Sequence, residues 1–185
     1  METISVKDLV VPLSEYATVS EGASLYEAVL ALELAQEEFD HTKYRHRGIL
    51  VLDKGGHVVG KIGQLDVLRA LEPNYSKIQN NSEFARLGFT KKFMQSMLES
   101  YHLWASPLSD VCAKADDIPV SDFMQIPGEG EMVEEDTNLD EAIHQLVMGQ
   151  HQSLLVTRDK TIIGILRLTD VFAAVFHTMK ECHSK

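Results

Sequence analysis

The stretch Ile49-Leu50-Val51-Leu52-Asp53, followed by Gly60 and by Asp66-Val67-Leu68, is written a second time in the chain as Leu154-Leu155-Val156-Thr157, Gly164 and Asp170-Val171-Phe172. Glycine and aspartate keep the same offset of 104 positions, from 60 to 164 and from 66 to 170. Toward the N-terminus, Val6-Lys7-Asp8-Leu9-Val10 returns as Val120-Ser121-Asp122-Phe123-Met124. The run from Ala17 through Ser24-Leu25-Tyr26-Glu27 to Ala28 returns from Glu131 through Asn138-Leu139-Asp140-Glu141 to Ala142, and both of these pairs stand 114 positions apart, from 6 to 120 and from 28 to 142. Self-similarity of this kind marks a repeat architecture. The fall in offset makes the first copy roughly ten residues longer, nearly all of them between Leu32 and His46.

Each copy has the same local physics. A short strand (Thr18 to Val19; Met132 to Val133) enters a polar turn and then a helix whose first residue is preceded by Ser24 or Asn138, both good N-caps, with an acidic residue three positions on. Apolar residues Leu25, Ala28, Val29 and Leu32, and Leu139, Ala142, Ile143, Leu146 and Val147, recur at three- and four-residue spacing, which predicts one buried helical face. Its flat partner is a pair of apolar runs, Ile49 to Leu52 with Val58 to Ile62, and Leu154 to Thr157 with Thr161 to Leu166. Asp53-Lys54-Gly55-Gly56-His57 and Arg158-Asp159-Lys160 join them as hairpin loops. A second helix closes each copy, Gln64 to Leu71 and Leu168 to about Lys180. The predicted class is α+β: two β-α-β-β-α units, residues 1–71 and 119–185, separated by a helical insert at 72–118.

The insert is too long for a plain connector in a compact domain. Thr90 is placed to cap a helix from Lys91 to Tyr101 that carries Phe93, Met94, Met97, Leu98 and Tyr101 on one stripe, read as core packing with a partner-docking surface as the alternative. Pro107 opens a further predicted helix over Leu108 to Ala115.

Composition removes whole classes of function. The 185 residues are 44% hydrophobic, as in an ordinary globular chain, and no run approaches the ~20 apolar residues of a membrane span. The start METISVKDLV lacks the pattern of a secretory signal, so a cytoplasmic location is expected. A formal charge of −11 opposes nucleic acid. The basic cluster His41, Lys43, Arg45, His46 and Arg47 follows the helical run ending near Phe39, where cations complement a helix dipole. A contact from Arg47 to a bound phosphate is the other reading. Cys112 and Cys182 have neither disulfide nor zinc spacing, and His144 and His151, seven apart, are separated by the helix-ending Gly149. No phosphate loop, nucleophile elbow or zinc-protease signature is present, so no catalysis and no required cofactor or metal are expected.

The duplicated V-x-D lead-in and the glycine followed six residues later by a helix-starting aspartate resemble the CBS domain, whose tandem pair is often called a Bateman module. The matching residues are Val6-Lys7-Asp8-Leu9-Val10 with Gly60 to Asp66, and Val120-Ser121-Asp122-Phe123-Met124 with Gly164 to Asp170. The resemblance implies two units packed sheet to sheet about a pseudo-twofold, with clefts that take AMP, ADP, ATP or S-adenosylmethionine. It implies a regulatory module, usually a homodimer, that acts on a separate effector protein. A structural or protein-interaction module with vestigial clefts is the alternative.

By that resemblance Asp66 and Asp170 would hold ribose hydroxyls, a role for which a carboxylate at a helix N-terminus is chemically suited. Thr18, Met132, Gly48, Ile49, Ser153 and Leu154 would complete the clefts. Where the family favours a serine or threonine near phosphate, this chain has Gly63 and Arg167. Gly63 offers a backbone amide and Arg167 a bidentate cation, so the second cleft is expected to be the more phosphate-binding of the two. A surface salt bridge is the competing role for Arg167.

Overall fold

The computed structural model describes residues 4–38, 45–79 and 90–183; His41 and Lys43 of the basic cluster, and Phe39, lie outside them. Its seven described strands are β1 (Val11–Pro12), β2 (Thr18–Ser20), β3 (Gly48–Leu52), β4 (Val58–Gly63), β5 (Met132–Glu134), β6 (Ser153–Arg158) and β7 (Thr161–Arg167). They form two sheets, one in the order β2-β3-β4 and one in the order β1-β7-β6-β5. In each unit the first long helix, α1 (Leu25–Glu38) or α6 (Leu139–Gly149), links a parallel strand pair, β2 with β3 or β5 with β6. Each hairpin then runs antiparallel and ends at a closing helix, α2 (Gln64–Leu71) or α7 (Leu168–His183). The two units are alike down to a register shift at Val51/Leu52 in one hairpin and Val156/Thr157 in the other.

Strand alternation sorts the core into three layers. Ile49, Val51 and Ile62 face α1 with Ala28 and Leu32, while Leu154, Val156 and Leu166 face α6 with Ala142 and Leu146. The residues between them, Leu50 and Leu155, point the other way and meet Val11, Tyr16 and Ile165 where the two sheets face each other. The predicted helical stripes are wider than what the sheets cover. Val29 and Val147 stand 37% and 66% exposed, because residues at i, i+3 and i+7 already fill the contact face.

The lead-in segments are exchanged between the units. Val6, ahead of the first copy, is fully buried in the core of the second with Val133 and Leu139, and Val120 is fully buried in the core of the first with Ala17 and Ala28. The amides of Leu139 and Leu25 donate to the carbonyls of Ile4 and Ile118 at 3.0 and 2.7 Å. Beyond this point β1 pairs with β7, and Gln125 makes the corresponding bridge to Lys61. This exchange gives the repeated glycines a reason. A Cβ on Gly164 would stand 2.4 Å from the Val11 carbonyl oxygen, and one on Gly60 would stand 2.5 Å from the Met124 sulfur.

Ser24 caps α1 reciprocally: the Glu27 amide donates to its Oγ (3.2 Å) and its own amide donates to Glu27 Oε2 (2.8 Å). Asn138 holds the N-cap position of α6 but its side chain makes no capping bond, a correction to the symmetric expectation. At the other end α6 stops at Gly149, with Gln150 left-handed at φ 52°. The second hairpin turns through Asp159 and Lys160 alone, both at positive φ, as in a type I′ turn.

In the insert, α3 (Tyr75–Gln79), α4 (Lys91–Ser100) and α5 (Leu108–Cys112) follow the first unit. Thr90 caps α4, accepting from the Phe93 amide at 3.2 Å. The α4 stripe is not core throughout: Met97 is buried, but Met94 and Leu98 are 49% and 44% exposed. Too little apolar surface faces this helix to cover its whole stripe. Glu72, nearly inaccessible, ties the insert to the end of α2 by accepting from the amides of Asn74 and Trp104 at 3.1 and 2.6 Å.

Candidate functional site at the junction of the two units

Both hairpins open at the same end of the molecule. Gly48 pairs with Gly63 and Ser153 with Arg167, so the starts of β3 and β6 lie beside the ends of β4 and β7, where α2 and α7 begin. The space between them is a cleft of about 480 Å³, a size that accommodates a small-molecule ligand. Ile49, Leu50, Ile62, Ile165 and Leu168 supply apolar walls. Five cations (Arg45, Arg47, Lys61, Arg69, Arg167) and two carboxylates (Asp66, Glu131) supply charge. The cleft is thus locally cationic in a chain of net charge −11. Arg45 and Arg47 are exposed and carry no ion pair among the described residues.

Of the residues singled out in sequence, Gly48, Ile49, Gly63, Asp66, Arg47, Ser153 and Arg167 line this cleft. Thr18, Met132, Leu154 and Asp170 do not. Thr18 is half-buried in the β2–β3 ladder and Met132 packs at the edge of the inter-sheet layer. Leu154 is wholly inside the second core. Asp170 lies directly behind Arg167, whose Nε and Nη2 donate to its two carboxylate oxygens at 2.5 and 2.7 Å.

The two halves differ because Gly63 and Arg167 stand at the same place in the repeat. In the first half, the Gly63 amide donates to Asp66 Oδ2 (2.8 Å), and Gln125 Nε2 and Arg69 Nη1 donate to Oδ1 (2.7 and 3.3 Å). Glycine contributes no side chain here, so the donors on this carboxylate are a backbone amide, a neutral side-chain amide and the half-exposed Arg69. Nearby, Lys61 pairs with Glu131, and His151 Nδ1 lies 3.7 Å from the same carboxylate. Burial pushes the Glu131 carboxyl up, but the Lys61 ammonium and the Gly128 amide outweigh it and hold the group below its ordinary range.

In the second half, Arg167 is 5% exposed and its Nη1 lies 3.2 Å from His46 Nδ1. Guanidinium can only donate, so Nδ1 accepts and the imidazole proton is on Nε2. Burial, then the charge of Arg167, pull the His46 pKa below its ordinary value, which keeps the ring neutral. Tyr16 packs edge-on against it with ring centroids 4.5 Å apart; burial pushes this phenol up to about 12.

Sequence reading missed Tyr16, Lys61, Arg69, Gln125, Glu131 and His151. One signal was available: strand starts Gly48 and Ser153 are repeat partners 105 apart, which also pairs His46 with His151. Gln125 had no such signal, because its place against Asp66 depends on the exchange of lead-in segments.

The family model for the CBS domain matches residues 6–73 and 116–177. The chain belongs to the CBS domain family. Solved structures share the fold of this CBS-pair chain across nearly its whole length. CBSX2 in complex with AMP is 19% identical, with a TM-score of 0.57 over 95% of this chain and 98% of that one. CBSX2 from Arabidopsis thaliana is 20% identical, with a TM-score of 0.60 over 97% and 99%. The CBS domain of a CBS domain-containing membrane protein from Sphaerobacter thermophilus is 18% identical, with a TM-score of 0.60 over 92% and 87%. At such identities the likeness is one of fold. No curated protein matches the sequence. Among the described residues, no helix is long and apolar enough to cross a membrane, and no group of three His, Cys, Asp or Glu is arranged to hold a metal.

Proposed function

We propose that this chain is a non-catalytic regulatory module that binds an adenine nucleotide or related adenosyl ligand in the central cleft and acts on a separate effector protein. The observation that carries the reading is the cationic, partly apolar cleft at the joint of the two CBS units in an otherwise acidic chain. A purine fits against Ile49 and Ile165. A ribose diol finds an acceptor in Asp66, and a phosphate finds the exposed Arg45 and Arg47, which carry no ion pair among the described residues, beside the N-terminus of α2. Candidate ligands are AMP, ADP, ATP and S-adenosylmethionine, and the AMP held by CBSX2 supports the class.

A ligand at this joint touches both units at once and can bias their arrangement if it binds two arrangements unequally. Asp66, Arg69 and Gln125 also line a second cavity against the insert, which gives the cleft a mechanical neighbour there. The repeat partners Leu68 and Phe172, 52% and 66% exposed, suit burial by a second copy in a homodimer. The exposed Met94 and Leu98 on α4 favour a second reading, a protein-interaction module with vestigial clefts.

Thermal denaturation with added AMP, ATP, S-adenosylmethionine and unphosphorylated adenosine separates the two. Ligand binding to the native state raises the melting temperature with concentration. The phosphate arm is expected to weaken in Arg47→Ala and at high salt. A flat response to all four compounds supports the interaction module instead.

A further inference from the structure

The two halves of the cleft begin from the same backbone and end differently. Gly63 and Arg167 each pair with the first residue of the neighbouring strand, each precede a closing helix, and each stand three residues before the repeated aspartate. At Gly63 no side chain of that residue enters this space, where a Cβ would meet only Asp66 Oδ2, at 3.3 Å. The Asp66 carboxylate instead accepts from the Gly63 amide, the neutral Gln125 amide and Arg69, whose side chain is 47% exposed and so can be displaced by a ligand. At Arg167 the corresponding space holds the arginine's own guanidinium.

The geometry of that group is informative. A ribose diol presents two adjacent donors to a carboxylate, and the edge of a guanidinium presents two parallel donors at similar spacing. Nε and Nη2 of Arg167 occupy both oxygens of Asp170 in this way. The remaining nitrogen, Nη1, lies against neutral His46, and Tyr16 packs against the imidazole. The Arg167 side chain is 7% exposed, so it is packed in place rather than swinging on the surface. His46 comes from the longer first copy, whereas its repeat partner His151 faces Glu131.

We infer that this chain is a one-site module: Arg167 is a built-in occupant of the second half, and one adenosyl ligand binds per chain, at Asp66. The inference rests on the ligand-binding reading above and reverses the expectation that Arg167 makes the second half the phosphate-binding one. Arg167 is on this view a residue that sets stoichiometry, and it makes no contact with the bound ligand's phosphate.

The test is calorimetry and native mass spectrometry of the full chain with AMP as probe. The wild-type chain is expected to take one AMP, and Arg167→Gly, which copies Gly63, to take two. In the wild-type background, Asp66→Asn is expected to weaken AMP about tenfold or more, while Asp170→Asn leaves affinity within about threefold. Circular dichroism checks each variant's fold, and if Arg167→Gly does not fold, the aspartate pair decides. Two AMP on the wild-type chain, one AMP on folded Arg167→Gly, or loss of binding in Asp170→Asn but not in Asp66→Asn overturns the one-site assignment and leaves the ligand reading standing. No AMP on the wild-type chain overturns both.

Discussion

Gly60 and Gly164 are the same residue of the repeat, yet alanine is expected to act on them very differently. At Gly164 the new methyl group would stand 2.4 Å from the Val11 carbonyl oxygen and 2.7 Å from Val10 Cγ2. Val10 leads into β1 and Val11 begins it, and β1 is held to β7 by only two residue pairs, Val11 with Ile165 and Pro12 with Gly164. A backbone carbonyl cannot rotate away, so β1 must lift by roughly an ångström to restore ordinary contact. Overpacking of this kind costs about 1–3 kcal/mol, and a weakened backbone hydrogen bond adds about 1 kcal/mol. Restricting the unfolded chain returns about 0.4–1 kcal/mol. The balance for Gly164→Ala is a destabilisation of about 2 kcal/mol, or about 4–8 °C in Tm for a chain of this size. At Gly60 the obstacle is the Met124 side chain alone, with its sulfur at 2.5 Å and its Cγ and Cβ at 3.1 and 3.3 Å. Methionine has three rotatable bonds and repacks cheaply, so Gly60→Ala is expected within about 1 kcal/mol of the parent. Equilibrium urea unfolding of the two variants measures the difference directly. Equal losses would refute the argument that the exchanged backbone, rather than the glycine's place in the hairpin, makes Gly164 irreplaceable.

Two further outcomes are expected. Ser24→Ala breaks a reciprocal cap and should cost about 1 kcal/mol, whereas Asn138→Ala, removing no capping bond, should cost less than about 0.5 kcal/mol; urea unfolding distinguishes them. His46 has a depressed folded pKa, so the unfolded chain takes up its proton first as pH falls. Its contribution is complete above the ordinary histidine value of 6.5 and is lost below it as the pH falls toward the folded pKa. The melting temperature of His46→Gln should therefore fall less than that of the parent between pH 7 and 5.5. Parallel pH profiles would count against a buried neutral imidazole.

The fold was legible because each unit's pattern is local. The glycine within the second strand of each hairpin, the aspartate at each closing helix and the alternation of Ile49, Leu50 and Val51 between two layers are all properties of short stretches read twice. Long-range placement was not legible in the same way. Nothing near Val6 or Val120 says that each would be buried in the other unit, so the steric demand on Gly164 and the reach of Gln125 to Asp66 could not be read from either copy alone. Arg167 was visible as a departure from the repeat, but its direction was not. Spacing permits a guanidinium three residues before an aspartate to face a ligand or to fold back; burial against His46 selects the second. The apolar stripe of α4 was legible as a stripe, while its half-exposure reflects how little surface the rest of the chain brings to it.

The central claim, that the joint between the two CBS units is a ligand site built on Asp66, is tested most directly by a crystal structure of the chain grown with saturating AMP. The account predicts density for one AMP in the cleft, its ribose on Asp66, its phosphate toward Arg47, and Arg167 still paired with Asp170. An empty cleft at saturating AMP, or AMP bound with its ribose on Asp170, would contradict it.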